Sequence, residues 1–379
     1  MNTFLITKSE MFDKFKSLSE NSNNVCIIFG AGASYGYTNQ TTDYDLPPIV
    51  SKLFDIDEPI VKKVISRPEH ASVFRLKDFI IDTLEDYNND LEAYLSFLYK
   101  NNDEDHTFPS LLHYLHDVFL MASKNIDENN NYQMLIHQLS TIRGKKPWSC
   151  ISFNYDTILE QSYILTGRNN SRKFNAFDNY LAINPKIIKI HGSVNFYYVL
   201  RENKSIPTKT KEDIFSIMMG NIPTIKGYSE TATPEHNKPD FYKEEIIYNP
   251  GKNINEVIST YISPLMMIPI HGTKKHDNSF FKNTLEETKK EIASSDIVIA
   301  IGYNFGDDLF LNSIKDLDLS KKELILVGTE NIVSKQTNHI AFQNISKIWK
   351  NENIKIFKGD GFSDFVESII KKDKYKNQP

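Results

Sequence analysis

Val25-Cys26-Ile27-Ile28-Phe29-Gly30-Ala31-Gly32-Ala33-Ser34 runs an apolar strand straight into a glycine turn. Five consecutive apolar residues bounded by turn residues fit a strand buried on both faces. Gly30 and Gly32 permit a tight turn and a close approach of backbone N–H groups to an anionic ligand. A helix after the turn points its positive end the same way. This is how a parallel strand ends on a phosphate-cradling loop. The third glycine of the dinucleotide fingerprint is displaced, because Gly36 falls one position later than that pattern asks. Taken alone, the stretch is equally an ordinary strand–turn–helix corner.

Outward from it, strand-like and helix-like segments alternate. Residues 9–20 form an amphipathic helix with Ser9 as its cap and Met11, Phe12, Phe15 and Leu18 on one face. Helix-spaced apolar residues fill 71–100, 109–120 and 132–142, which predicts a helical insertion over 50–146 after the first βα unit. Strands are expected at 148–153, 186–190, 295–302, 323–328 and 354–357, with a short apolar run at 265–270 and helices at 279–295, 308–316 and 362–371. Residues 200–262 are polar and punctuated by Pro and Gly, and are expected to be loop-rich. The expected fold is α/β: a Rossmann-like, parallel, doubly wound sheet within one domain over 1–379.

Composition narrows the function classes. Of 379 residues, 40% are hydrophobic and 25% charged, as in an ordinary globular chain, and the net charge of -5 argues against a nucleic-acid polycation. The two cysteines, Cys26 and Cys150, adjoin apolar runs and read as buried thiols; with no Cys-x-x-Cys, no structural zinc module is expected. No apolar run approaches membrane-spanning length and no signal peptide opens the chain, so a cytoplasmic location and no membrane partner are expected.

Three further segments stand at predicted strand ends: Ser152-Phe153-Asn154-Tyr155-Asp156, Lys189-Ile190-His191-Gly192-Ser193 and Ile301-Gly302-Tyr303-Asn304-Phe305-Gly306-Asp307. In a parallel sheet those ends share one edge, so the four segments form one composite site. An amide, a carboxylate and an imidazole there suit attack at a glycosidic carbon. Asn154 can hold a ribose hydroxyl or a water, and Asp156 can bond ribose hydroxyls or support the positive charge that builds as a C–N bond breaks. His191 can take the proton. Gly192 leaves room for a ligand beside the imidazole. Each also has a plainer reading: Asn-x-Asp as a helix cap, His-Gly as a turn. His271-Gly272 competes for the role of His191. Lys274-Lys275-His276 reads as a solvated loop, and the pairs Tyr197-Tyr198 and Phe280-Phe281 as core or rim.

In order and spacing these four motifs resemble the sirtuin (Sir2-like) family. The resemblance implies that Asn154 and Asp156 lie in an NAD pocket, that His191 is the catalytic histidine, and that Gly30, Ala31, Gly32, Ala33, Ser34, Phe153 and Gly192 bind NAD+. It also implies that the loop of Gly302 and Tyr303 takes the adenosine side. The second motif departs from the family's Thr-Gln-Asn-x-Asp, and the deacylases' four-cysteine zinc module is impossible with two cysteines. These departures resemble the Sir2-like domains of bacterial antiphage defence. That likeness implies NAD+ as substrate, no zinc, release of nicotinamide and ADP-ribose, a homo-oligomer, and a HerA-type ATPase or other defence partner with a phage-derived trigger. Alternatives are an NAD-dependent deacylase, a silent NAD- or ADP-ribose-binding scaffold for an ATPase or nuclease, and cyclisation or ADP-ribosyl transfer.

Overall fold

The computed structural model describes residues 5–38, 46–49, 52–86, 107–167, 177–199, 240–241, 262–266, 279–328 and 340–370. In chain order the strands are β1 (Leu5–Thr7), β2 (Val25–Phe29), β3 (Trp148–Ser152), β4 (Lys186–Lys189), β5 (Gly192–Val199), β6 (Asp240–Phe241), β7 (Ile262–Met266), β8 (Ile297–Ile301), β9 (Glu323–Val327) and β10 (Ile354–Lys358). The helices are α1 (Lys8–Asn21), α2 (Ala31–Tyr35), α3 (Pro59–Ile65), α4 (Ala71–Asp86), α5 (Thr107–Ala122), α6 (Asn131–Arg143), α7 (Ile158–Leu165), α8 (Phe177–Ala182), α9 (Ser279–Ser294), α10 (Asp308–Ile314), α11 (Ile340–Ile345) and α12 (Gly361–Ile370).

Seven strands make one wholly parallel sheet in the order β1-β10-β9-β8-β2-β3-β4. From β2 the chain winds outward through β3 and β4, then returns to β8 on the other side and winds outward through β9 and β10. The order therefore reverses between β2 and β8, the switch point at which such sheets open a crevice. β2, β3 and β8 are buried at every residue. Their side chains divide by alternation: Val25, Ile27 and Phe29 pack under α1, α6, α7 and α12, whereas Cys26 and Ile28 pack under α9, α10 and α11. Both thiols are free and buried, and burial pushes Cys26 up to about 12 and Cys150 well above its ordinary value.

Two local features differ from the expectation. β1 is an added strand on the far edge, paired with β10. The cap of α1 is Thr7 rather than Ser9: the Thr7 amide donates to Glu10 Oε2 at 2.9 Å while the Glu10 amide donates to Thr7 Oγ1 at 3.4 Å. That reciprocal pair is a capping box.

The helices expected within 50–146 divide between two cores. α3, α4 and α5 build their own core from residues such as Ile60, Val64, Ile80, Leu111 and Val118, closed by Val194 of β5 and Met266 of β7. α6 instead joins the sheet's own layer through Tyr132, Leu135, Ile136 and Leu139. α4 ends at Asp86, and 87–106 lie outside the described residues. So do 200–239, 242–261 and 267–278, which include His271-Gly272 and Lys274-Lys275-His276. β5, β6 and β7 form a small antiparallel sheet. Phe281 is a core residue, whereas the side chains of Tyr197, Tyr198 and Phe280 lie outside the description.

The base of the insertion carries a polar cluster. Asp117 Oδ2 meets His70 Nε2 at 3.0 Å and Arg67 Nη1 at 3.3 Å, and its Oδ1 meets His116 Nδ1 at 3.3 Å. Burial opposes ionisation of Asp117, but the bonds from His116 and His70 outweigh it and hold the carboxyl well below its usual range. Burial, reinforced by neighbouring His116, pushes His113 down from 6.5 to about 4. Between those values the unfolded chain takes up a proton that folded His113 refuses, so stability falls as pH falls. The loss expected is about 3 kcal/mol in total between pH 7 and 4. Thermal unfolding followed across that range should show it, and His113→Leu should flatten the slope above pH 4.5. An unchanged slope would remove His113 as its cause.

Candidate active site

Strand register sets the site. Phe29 lies level with Ser152 on one side and Ile301 on the other, and Ser152 lies level with Lys189. The ladder runs one bond further along the row: Gly30 N to Ile301 O, Phe153 N to Phe29 O, Ile190 N to Ser152 O and Gly302 N to Val327 O, all at 2.9–3.1 Å. All four motifs thus leave the sheet together, on four adjacent strands astride the β2/β8 switch point.

The glycines interlock two of these loops. The Gly32 amide donates to Gly302 O at 3.1 Å. A Cβ on Gly30 would stand 2.5 Å from Gly302 O, and one on Gly302 (φ +60°) would stand 2.3 Å from Ala33 N. The N–H groups of Gly30 and Gly32 are therefore occupied by the β8 loop. α2, which follows, spans only five residues. Packing against Ile301 and Gly302 is thus the reason for these glycines, and the two N–H groups expected to approach an anionic ligand are already spent on it.

Asn154 ties the second motif to the first. Its Nδ2 donates to Gly30 O at 2.9 Å and Ser34 Oγ at 2.8 Å, with Tyr132 OH at 3.4 Å. Ser34 Oγ and Tyr132 OH are themselves 3.0 Å apart, and burial holds the Tyr132 phenol well above its ordinary value. Gly30 O fixes the amide's orientation, because a carbonyl can face only the NH2 end. Asn154 Oδ1 accepts no bond among the described residues, so it is the end left for a ligand. Nearby, Asp156 Oδ1 accepts from the Ile158 amide at 3.1 Å at the start of α7, and Oδ2 accepts nothing among the described residues. Asp156 is thus half cap and half available. Beneath it, Lys189 donates to Asp156 O at 2.6 Å and pairs with Glu160 at 3.4 Å, both fully buried. Burial pushes the Glu160 carboxyl up, against the pull of Lys189.

His191 is buried, with Nε2 2.7 Å from Asp307 Oδ2. Phe153 meets the imidazole edge-on at a centroid distance of 5.2 Å, and Tyr155 lies nearly parallel to it at 6.0 Å. Phe153 also stacks on Tyr303 at 4.0 Å, which joins the second and fourth motifs on the opposite face of the sheet from Tyr132. Gly192 takes φ +74°, the left-handed turn that leads the chain away into β5. The structure therefore brings together Gly30–Ser34, Phe153, Asn154, Asp156, His191, Gly192, Gly302 and Tyr303. Sequence reading gave no role to Asp307 or Lys189, though both stand in the motifs, nor to Tyr132 or Glu160. Of these, only Asp307 had a local signal, as an aspartate directly before a helical segment.

No family model matches the chain, and no curated protein does. Solved structures similar to it are a Sir2 with a p53 peptide and NAD+ (15% identity, 96% of this chain and 98% of that one, TM-score 0.41). A second is Sir2Tm with a propionylated peptide (14%, 96% and 98%, TM-score 0.42). A third is Sir2Af2 with a myristoylated histone peptide (12%, 95% and 96%, TM-score 0.36). All three likenesses are distant, and the ligands named in them belong to those proteins.

Proposed function

We propose that the chain is an NAD+ glycohydrolase. The observation that carries this reading is the placement, at the ends of adjacent strands beside the β2/β8 switch point, of an anchored amide, Asn154, whose Oδ1 accepts no bond among the described residues, and a buried imidazole, His191, whose Nδ1 makes none among them. In the reaction the ribose C1′–nicotinamide bond breaks and its electron pair neutralises the pyridinium. A water oxygen bonds C1′, and its proton passes to His191. Asn154 Oδ1 holds the water or a ribose hydroxyl, and the Asp156 carboxylate supports the positive charge on the ribose. The pyrophosphate lies over Gly30–Ser34, and the adenosine side over Gly302 and Tyr303.

Such an activity drains a cell's NAD+, which fits antiphage defence by abortive infection. In that setting the chain works in the cytoplasm as a homo-oligomer, kept slow until a partner such as a HerA-type ATPase or a phage-derived trigger engages it. With only two cysteines, a four-cysteine zinc module of the deacylase kind is excluded.

Chromatography of NAD+ incubated with the purified protein tests the reading. Nicotinamide and ADP-ribose in equal amounts are expected, and Asn154→Ala should yield neither. Cyclic ADP-ribose would reassign the acceptor. Binding of NAD+ without turnover, with partner present, would favour a scaffold instead.

A further inference from the structure

Asp307 has two jobs that its geometry separates. Its Oδ1 accepts from the Leu309 and Phe310 amides at 2.8 and 3.0 Å, capping α10. Its Oδ2 meets His191 Nε2 at 2.7 Å in a buried setting. Oδ1 accepts twice and Oδ2 faces the imidazole, an arrangement that suits a carboxylate. Burial alone would raise its pKa, yet the bond from His191 and the two helix amides outweigh burial and hold it below the ordinary value. A carboxylate accepts only, so the proton between the two groups belongs to Nε2. Nδ1 makes no bond among the described residues.

We propose that Asp307 is a positioning residue that locks His191 in its Nε2–H tautomer and leaves Nδ1 as the ring's one proton acceptor. This deepens the glycohydrolase reading and rests on it for its catalytic meaning. Two further contacts restrict the ring, Phe153 against its edge and Tyr155 along its face. With Nε2 tethered, one face lined by Tyr155 and Phe153 set edge-on to the ring, neither rotation nor tautomer exchange is free, and Nδ1 is the atom through which a water can lose its proton. The proton then resides on an imidazolium whose charge the Asp307 carboxylate offsets.

Asp307→Asn is the discriminating variant. An asparagine Oδ1 still caps α10. Its NH2, however, now faces Nε2 and demands an acceptor there, which drives the proton to Nδ1. In 15N-histidine-labelled protein, the ring shifts of His191 should report Nε2–H in the wild type and Nδ1–H in Asp307→Asn, with Asp307→Glu restoring the first pattern in part. Turnover of NAD+ should fall roughly 10- to 100-fold in Asp307→Asn at unchanged KM, with the melting temperature close to wild type. A wild type with Nδ1–H, or a variant whose tautomer does not change, overturns the proposal. So does wild-type turnover in a variant whose tautomer has flipped. The labelled spectrum is readable whether or not the protein turns over NAD+. A wild type that stays inactive with its partner present yet shows the Nε2–H pattern would therefore sink the glycohydrolase reading and leave the tautomer lock standing.

Discussion

His191→Ala is expected to lower NAD+ turnover by a factor of about 10² to 10⁴, the usual worth of a positioned proton acceptor. The effect should fall on kcat, with NAD+ binding nearly unchanged. The phosphate and adenosine sides of the ligand would meet Gly30–Ser34 and Gly302–Tyr303; Tyr303 reaches the imidazole by way of Phe153, and the bond to the ring comes from Asp307 at the other end of that loop. The fold should survive, because Asp307 keeps its two helix amides when the imidazole is gone. Its carboxylate loses one buried donor, a loss of about 1–3 kcal/mol in stability. Steady-state kinetics beside a denaturant titration separate the two effects. A variant that retains more than a tenth of wild-type turnover would show that another group takes the proton.

Gly302→Ala should be the most damaging single methyl in the sheet. The added Cβ would meet backbone atoms, not a movable side chain: Ala33 N at 2.3 Å, Gly32 C at 2.5 Å and Gly32 Cα at 2.7 Å. Its φ of +60° adds left-handed strain. Strain and overpacking together are expected to remove about 3–5 kcal/mol, a large share of the roughly 5–15 kcal/mol that holds a domain folded. Gly144 supplies the control, since it has φ +57° with nothing within 4 Å of its would-be Cβ. At ψ -113° it lies outside the left-handed helical well, so Gly144→Ala should carry a conformational cost alone, about 1–3 kcal/mol. Denaturant midpoints that show the two variants equal would mean that the β2 and β8 loops can part freely.

The central strands were legible because burial on both faces writes a continuous apolar run, as in Val25–Phe29 and Ile297–Ile301. The shared edge of the four motifs followed from the strand alternation, and the register places them there. β1 was not legible, since three residues on the rim of a sheet carry no period. The reason for Gly30 was half legible. A tight turn can be read locally, but the atom that forbids a side chain belongs to Gly302, far along the chain. The partner of His191 was hidden for the same reason: Asp307 reads locally as a helix cap, and only the fold turns its second oxygen toward the imidazole. Helical periodicity likewise could not tell α6, a crossover helix of the sheet, from the helices that build the separate core of the insertion.

The interlock of the first and last motifs also fixes a schedule. Asn154 is anchored to Gly30 across 124 positions, and His191 to Asp307 across 116. A nascent chain leaving the ribosome holds Asn154 and His191 long before it holds β8 and Asp307. Until those emerge, the β2 turn has no Gly302 loop to lock against and the imidazole has no carboxylate. The crevice therefore matures only once β8 and Asp307 have emerged, and a polypeptide broken off upstream of β8 would carry Asn154 and His191 without the Gly302 loop or the carboxylate that set them.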